Sequence, residues 1–159
     1  MAAIDDLIAP VRDFDLGPEN TQRVKDAIRL SGGGDYAGAK ALREQIADPA
    51  ARKLVDWLAL RSGIGEASEF AAFLAANPAW PDRTLLNRRA EEQIFTAGGS
   101  AQRIKAFFKD GEPKTGAGWA ALASVYLAEG DEARAKAAAA KVWREYELAG
   151  SFEQGFLDR

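Results

Sequence analysis

Cysteine and histidine are absent from all 159 residues, and methionine occurs once, at position 1. Those absences remove the usual ligands of structural zinc, the thiolate nucleophile and the imidazole base of catalytic triads, so any acid–base work would fall to carboxylates alone. A disulfide framework is excluded as well, but a helical chain of this size does not need one, and the missing cysteine leaves the compartment open. Charge of one sign is also lacking: 21 Lys and Arg stand against 24 Asp and Glu, a formal net charge of -3. Without a basic field to neutralise phosphates, nucleic acid is a poor partner. No apolar run approaches membrane-spanning length, and residues 1–10 carry Asp5 and Asp6 where a secretory signal would be basic. What the chain does have is apolar content, 47% hydrophobic residues, enough for an ordered core in a single domain spanning residues 1–159.

The ordering signal is a set of glycine joints. Gly34-Asp35, Gly65-Glu66, Gly99-Ser100 and Gly130-Asp131 follow one another at separations of 31, 34 and 31 residues. Glycine closes one helix with positive φ and the next Asp or Ser caps the following one, so each pair marks a helix-turn-helix joint. Pro49, Pro78 and Pro113 lie 15, 13 and 14 residues beyond the first three glycines, where a proline stops the second helix and lets another begin. Two joints also agree in wording, with Ala37/Ala133, Ala39/Ala135, Lys40/Lys136 and Ala41/Ala137 matched after Gly-Asp. A unit of about thirty-odd residues is the period of helical-hairpin solenoids of tetratricopeptide type. The expected fold is all-α: a right-handed solenoid of about four antiparallel helix hairpins across residues 19–147.

Apolar stripes support the joints. Trp119, Leu122, Ala123, Tyr126 and Leu127 share one helical face; Ala135, Ala139, Val142, Trp143 and Tyr146 form another. Ala51, Leu54, Val55 and Leu58, with Trp57 beside them, and Ala67, Phe70, Ala71 and Leu74 make two more. Helices are predicted at 19–31, 35–47, 50–62, 66–76, 81–95, 100–109, 116–129 and 131–147, with short turns around 4–9 and after Ser151.

Few side chains invite chemistry. Trp57, Trp119 and Trp143 could form a carbohydrate platform, but their place on the stripes reads as core. Trp80, in the loop Asn77-Pro78-Ala79-Trp80-Pro81-Asp82, reads as a plug between helix pairs. Asp5/Asp6 and Glu91/Glu92 are neighbouring carboxylates, yet adjacent helical residues point about 100° apart and seldom flank one cleft. Glu91 and Glu92 beside Arg88 and Arg89 read as a solvated, salt-linked face. Arg83, Arg88 and Arg89 are the densest basic patch, neutralised by Asp82, Glu91 and Glu92. Ser31-Gly32-Gly33-Gly34 follows a helix and lacks the Gly-Lys-Ser/Thr ending of a phosphate loop, so it reads as a helix end. No catalytic, cofactor-binding or metal-binding residue is assigned.

The wording of the repeats carries a resemblance. Residues 51–61, Ala-Arg-Lys-Leu-Val-Asp-Trp-Leu-Ala-Leu-Arg, resemble a helix of the N-terminal superhelical domain of soluble peptidoglycan lytic transglycosylases. Residues 73–81, Phe-Leu-Ala-Ala-Asn-Pro-Ala-Trp-Pro, followed by 85–91, Leu-Leu-Asn-Arg-Arg-Ala-Glu, are similar to that family's segment joining one hairpin to the next. Residues 127–131, Leu-Ala-Glu-Gly-Asp, and 142–146, Val-Trp-Arg-Glu-Tyr, resemble its later repeats, so the likeness runs from about Asp48 onward. The resemblance implies a periplasmic parent enzyme that cleaves between N-acetylmuramic acid and N-acetylglucosamine, leaving anhydromuramoyl ends, through a separate lysozyme-like domain with a catalytic Glu followed by Ser. No Glu-Ser dipeptide and no Gly-Leu-Met-Gln stretch occurs, so no catalytic residue is carried over. The chain is then expected to be an inert scaffold segment of a larger protein, its leader removed and Met1 supplied by cloning. Its partners would be glycan strands or proteins in a concave groove, with weak self-association through an uncapped last hairpin. The alternative is a free-standing tetratricopeptide-like adaptor; a third reading, a carboxylate-only glycosidase, requires two inward-facing carboxylates in one cleft.

Overall fold

The computed structural model describes residues 15–109 and 111–146, so the turns expected around 4–9 and after Ser151, and Asp5/Asp6, lie outside the described residues. Among those described the chain is all-helical: α1 (Pro18–Gly32), α2 (Tyr36–Gln45), α3 (Pro49–Arg61), α4 (Ala67–Ala76), α5 (Arg83–Ala97), α6 (Ala101–Phe107), α7 (Gly116–Ala128) and α8 (Glu132–Glu145). Each lies within about two residues of its expected range, because each end is fixed by local chemistry. Gly34 and Gly130 take φ of 85° and 76°, and Gly65 and Gly99 also have positive φ. Asp35, Ser100 and Asp131 each accept the backbone N–H three residues on, from Gly38, Arg103 and Arg134. At Gly65-Glu66 the Glu69 carboxylate reaches back to the Glu66 amide at 2.9 Å. Pro49 opens α3, Pro78 follows the end of α4, and Pro113 lies between α6 and α7.

The chain forms two compact units that divide between Ala59 and Leu60, in the last turn of α3. In the first unit α1 and α2 form an antiparallel pair. Its core joins Val24, Ala27, Ile46, Ala51 and Val55, with Leu16 and Leu42 packed against them. Arg43 grips Asp56 with two parallel bonds, Nε to Oδ1 at 2.8 Å and Nη2 to Oδ2 at 2.6 Å, and this fork raises the affinity of the guanidinium for its proton. Asn20 accepts the Ala47 amide at 3.0 Å, fixing the chain as it leaves α2.

In the second unit α4 pairs with α5 and α7 with α8, while α5 and α6 both pack on α7. α7 is apolar almost all round and sits at the centre, burying Gly116, Ala117, Gly118, Ala120, Ala121, Leu122, Ala123 and Val125. Ile94 and Phe95 of α5, Ile104 of α6 and Val142 of α8 complete that core. The α4–α5 loop is tied by Arg83, whose Nη1 donates to the carbonyls of Leu74 and Asn77 at 3.0 and 3.1 Å. Trp80 meets Phe73 of α4 edge to face, with centroids 5.8 Å apart and planes at 84°.

The stripe expected for α8 is rotated. The buried positions are Ala135, Ala138 and Val142, and Trp143 stands 56% exposed. Neighbouring helical residues point about 100° apart, so a wall built on Val142 turns Trp143 outward. Leu127, in the last turn of α7, is likewise 54% exposed, and Leu54 and Ala71 leave the faces expected for α3 and α4.

Candidate functional site

Glu91 departs most from its sequence reading. It is 5% exposed, not a solvated partner of the arginines beside it. Its carboxylate accepts the Lys114 amide at 2.9 and 3.1 Å, the Thr115 amide at 2.8 Å and the Thr115 hydroxyl at 2.6 Å. Thr115 in turn accepts the Gly118 amide at 3.1 Å as the N-cap of α7. A buried carboxylate is tolerable only when its lone pairs are filled, and a helix N-terminus supplies both N–H groups and a favourable dipole. Glycine at 118 leaves the room this needs: a Cβ there would sit 2.8 Å from Pro113 Cβ and 2.9 Å from Glu91 Cδ. Glu91 on α5 thereby fixes the segment that enters α7.

The other acids and bases of this region are spent locally. Glu92 takes Arg89 at 3.0 Å and Arg88 at 3.6 Å, while Asp82 pairs with Arg61 at 2.9 Å. Asp82 also holds a left-handed backbone, φ 59°, tolerated by Asp more readily than by bulkier residues. Arg83 is occupied by the carbonyls at the end of α4, so the three arginines are not gathered into an anion site. No group of three metal-ligating side chains occurs among the described residues.

Residues 111–113, which directly precede the backbone held by Glu91, form one wall of an open groove of about 670 Å³ in the second unit, a size typical of ligand sites. Lys105 and Phe108 line it from the α6 side, Gly111, Glu112 and Pro113 from the connecting segment, Trp119, Leu122 and Tyr126 from α7, and Arg134, Ala137, Ala138 and Lys141 from α8. Two cations lie over aromatic faces: Lys141 Nζ is 4.0 Å from the Trp119 ring centre and the Arg134 guanidinium 4.8 Å from that of Tyr126. Lys105 bonds Glu129 at 2.6 Å, Arg134 bonds Asp131 at 2.6 Å, and Lys141 stands 3.6 Å from Glu112. The Arg134 backbone N–H, then its guanidinium, hold the Asp131 carboxyl below its ordinary range, and the bond to Asp131 raises the guanidinium in return. Trp119 Nε1 is shielded from water and has no hydrogen-bond partner.

Of the tryptophans weighed as a sugar platform, Trp119 thus lies half-buried in a groove wall, and Trp143 is exposed on α8 outside that lining. The groove itself was not legible in the sequence, because it is assembled from α6, α7, α8 and a loop. One signal was available: Thr115-Gly116-Ala117-Gly118 places a cap and two glycines in a first helical turn, the composition of a helix start approached by another side chain. Comparison with family models, curated proteins and solved structures finds no match to this chain.

Proposed function

We propose that this chain is a non-catalytic superhelical scaffold segment of a periplasmic peptidoglycan lytic transglycosylase, its hairpins stacking as a right-handed, tetratricopeptide-like solenoid. The observation that carries the reading is the ordered set of family-like phrases from residues 51–61 to 142–146, spaced by the same glycine joints that cap the helices. The groove agrees with an inert role. Glu112, the one carboxylate of its lining among the described residues, is 78% exposed, and the Glu-Ser pair that the resemblance requires for cleavage does not occur in the chain. Glu91, the one buried acid among the described residues, has its oxygens filled by the start of α7.

The test is to incubate the chain with purified peptidoglycan sacculi, sediment them, and analyse pellet and supernatant. A scaffold segment co-sediments and releases no anhydromuropeptides above buffer. Release of such products refutes an inert segment, and failure to co-sediment removes the peptidoglycan reading. A second reading, a peptide-binding adaptor, is favoured by the cation-and-aromatic lining of the groove, since polypeptide segments dock in such helical grooves.

A further inference from the structure

We propose that the groove of the second unit is a docking site for an acidic polypeptide segment in extended conformation, with carboxylates three residues apart and apolar side chains between them. The inference stands whether or not the chain belongs to a peptidoglycan enzyme. Its first support is charge. Among the described residues the lining carries Lys105, Arg134 and Lys141 against Glu112, in a chain whose formal net charge is -3. The acids that engage Lys105 and Arg134, namely Glu129 and Asp131, stand outside the lining.

Those pairs are open to exchange. The Arg134 and Glu112 side chains are 61% and 78% exposed, and Glu112 reaches Lys141 only at 3.6 Å. Exposed pairs of this kind contribute little to stability, so trading one for a partner's carboxylate costs little. Arg134 commits Nε to Asp131, and its guanidinium carries further N–H groups suited to a second carboxylate.

Geometry selects the spacing. Arg134 and Lys141 are seven residues apart on α8, two helical turns, hence about 10 Å along the axis. On a segment extended as polyproline II, with three residues per turn, carboxylates three residues apart point the same way and are separated by about 9 Å. Between the cations the groove offers Trp119, Leu122 and Tyr126, an apolar floor for the intervening side chains. The wall at residues 111–113 adjoins the backbone fixed by Glu91, so the site is largely formed before a partner arrives.

The experiment is a fluorescence anisotropy titration of the full chain with fluorescein-labelled Gly-Ser-Glu-Leu-Ala-Glu-Ser-Gly and its counterpart bearing glutamine for both glutamates. At low salt the glutamate peptide binds at least about tenfold more tightly than the glutamine one, and the preference shrinks as salt is raised. The double substitution Arg134→Glu with Lys141→Glu removes about tenfold or more of that affinity, while Lys136→Glu, on an exposed part of α8, leaves it unchanged. Circular dichroism establishes that each variant is folded; should the double variant unfold, Lys141→Gln replaces it and lowers affinity severalfold. Equal binding of the two peptides, no binding up to about 1 mM, retained affinity in the folded variant, or equal loss in Lys136→Glu overturns the proposal. Soluble muropeptides that occupy the groove more tightly than the glutamate peptide would overturn it too, by making the glycan the ligand.

Discussion

The α1–α2 and α7–α8 hairpins turn in the same way and end up with different surroundings. In the first, the Asp35 amide donates to the Leu30 carbonyl at 2.9 Å across Gly34; in the second, the Asp131 amide donates to the Tyr126 carbonyl at 2.8 Å across Gly130. Asp35 and Asp131 have φ and ψ of -85° and 76° against -88° and 74°, and each caps its helix at 2.9 Å. The flanks diverge at corresponding positions. Gly38 lies under the cap in the first hairpin, where Arg134 in the second bonds the capping aspartate and covers Tyr126, itself in the place of Leu30. The turn is therefore a generic device for reversing the chain, and the residues three and four positions outward decide whether a hairpin is bare or carries a charged, aromatic wall. Among the described residues, only the second hairpin has, beside it, a connecting segment held by a buried carboxylate.

That difference is open to attack in order of expected effect. Glu91→Ala leaves the Lys114 and Thr115 amides buried without their acceptor and should destabilise the second unit by about 3 kcal/mol in urea denaturation. Glu91→Gln, which retains one carbonyl acceptor, should lose less. An equal effect of both substitutions would mean that the charge, not acceptor geometry, holds the loop. Gly118→Ala presses a methyl against Pro113 and the Glu91 carboxylate and should cost about 2 kcal/mol by the same measurement.

Gly34→Ala and Gly130→Ala both force alanine into positive φ and should each cost about 1 kcal/mol. Because the turns coincide, the two values should agree closely; a large gap would show that the surroundings, not the turn, set the strain. The weakest probe is the capping pair. Asp35→Ala and Asp131→Ala should each lose a modest part of the stability as N-caps. The Asp131 carboxyl is held down, first by the Arg134 amide and then by its guanidinium. A carboxyl depressed in the folded state contributes stability that is complete above the ordinary aspartate range, about pH 4, and fades as acid protonates it. Thermal denaturation from neutral pH downward should therefore show the Asp131→Ala difference narrowing in acid.

What could be read in the sequence follows from how far each cause reaches. Helix ends were legible because Gly34, Asp35, Ser100, Gly130 and Asp131 act within a few residues of themselves. Glu91 was not, since its partners lie 23 and 24 residues away and its neighbours in sequence, Arg88, Arg89 and Glu92, offered a plausible local network. On α8 Ala135 and Val142 are buried as the stripe predicts, but the helix's alanines supply an apolar surface wide enough for two stripes, and packing takes Ala138 into the core and leaves Trp143 outside it. α7 is so uniformly apolar that periodicity marks no face at all, and its central place came only from the helices around it.

The hold of Glu91 on the groove wall is tested most directly by amide hydrogen exchange at Lys114 and Thr115. These N–H groups should exchange as slowly as those in the middle of α7 in the unmodified chain, and should become fast in Glu91→Ala while the α1–α2 amides are unchanged. Exchange at the rate of an open loop in the unmodified chain would contradict the account.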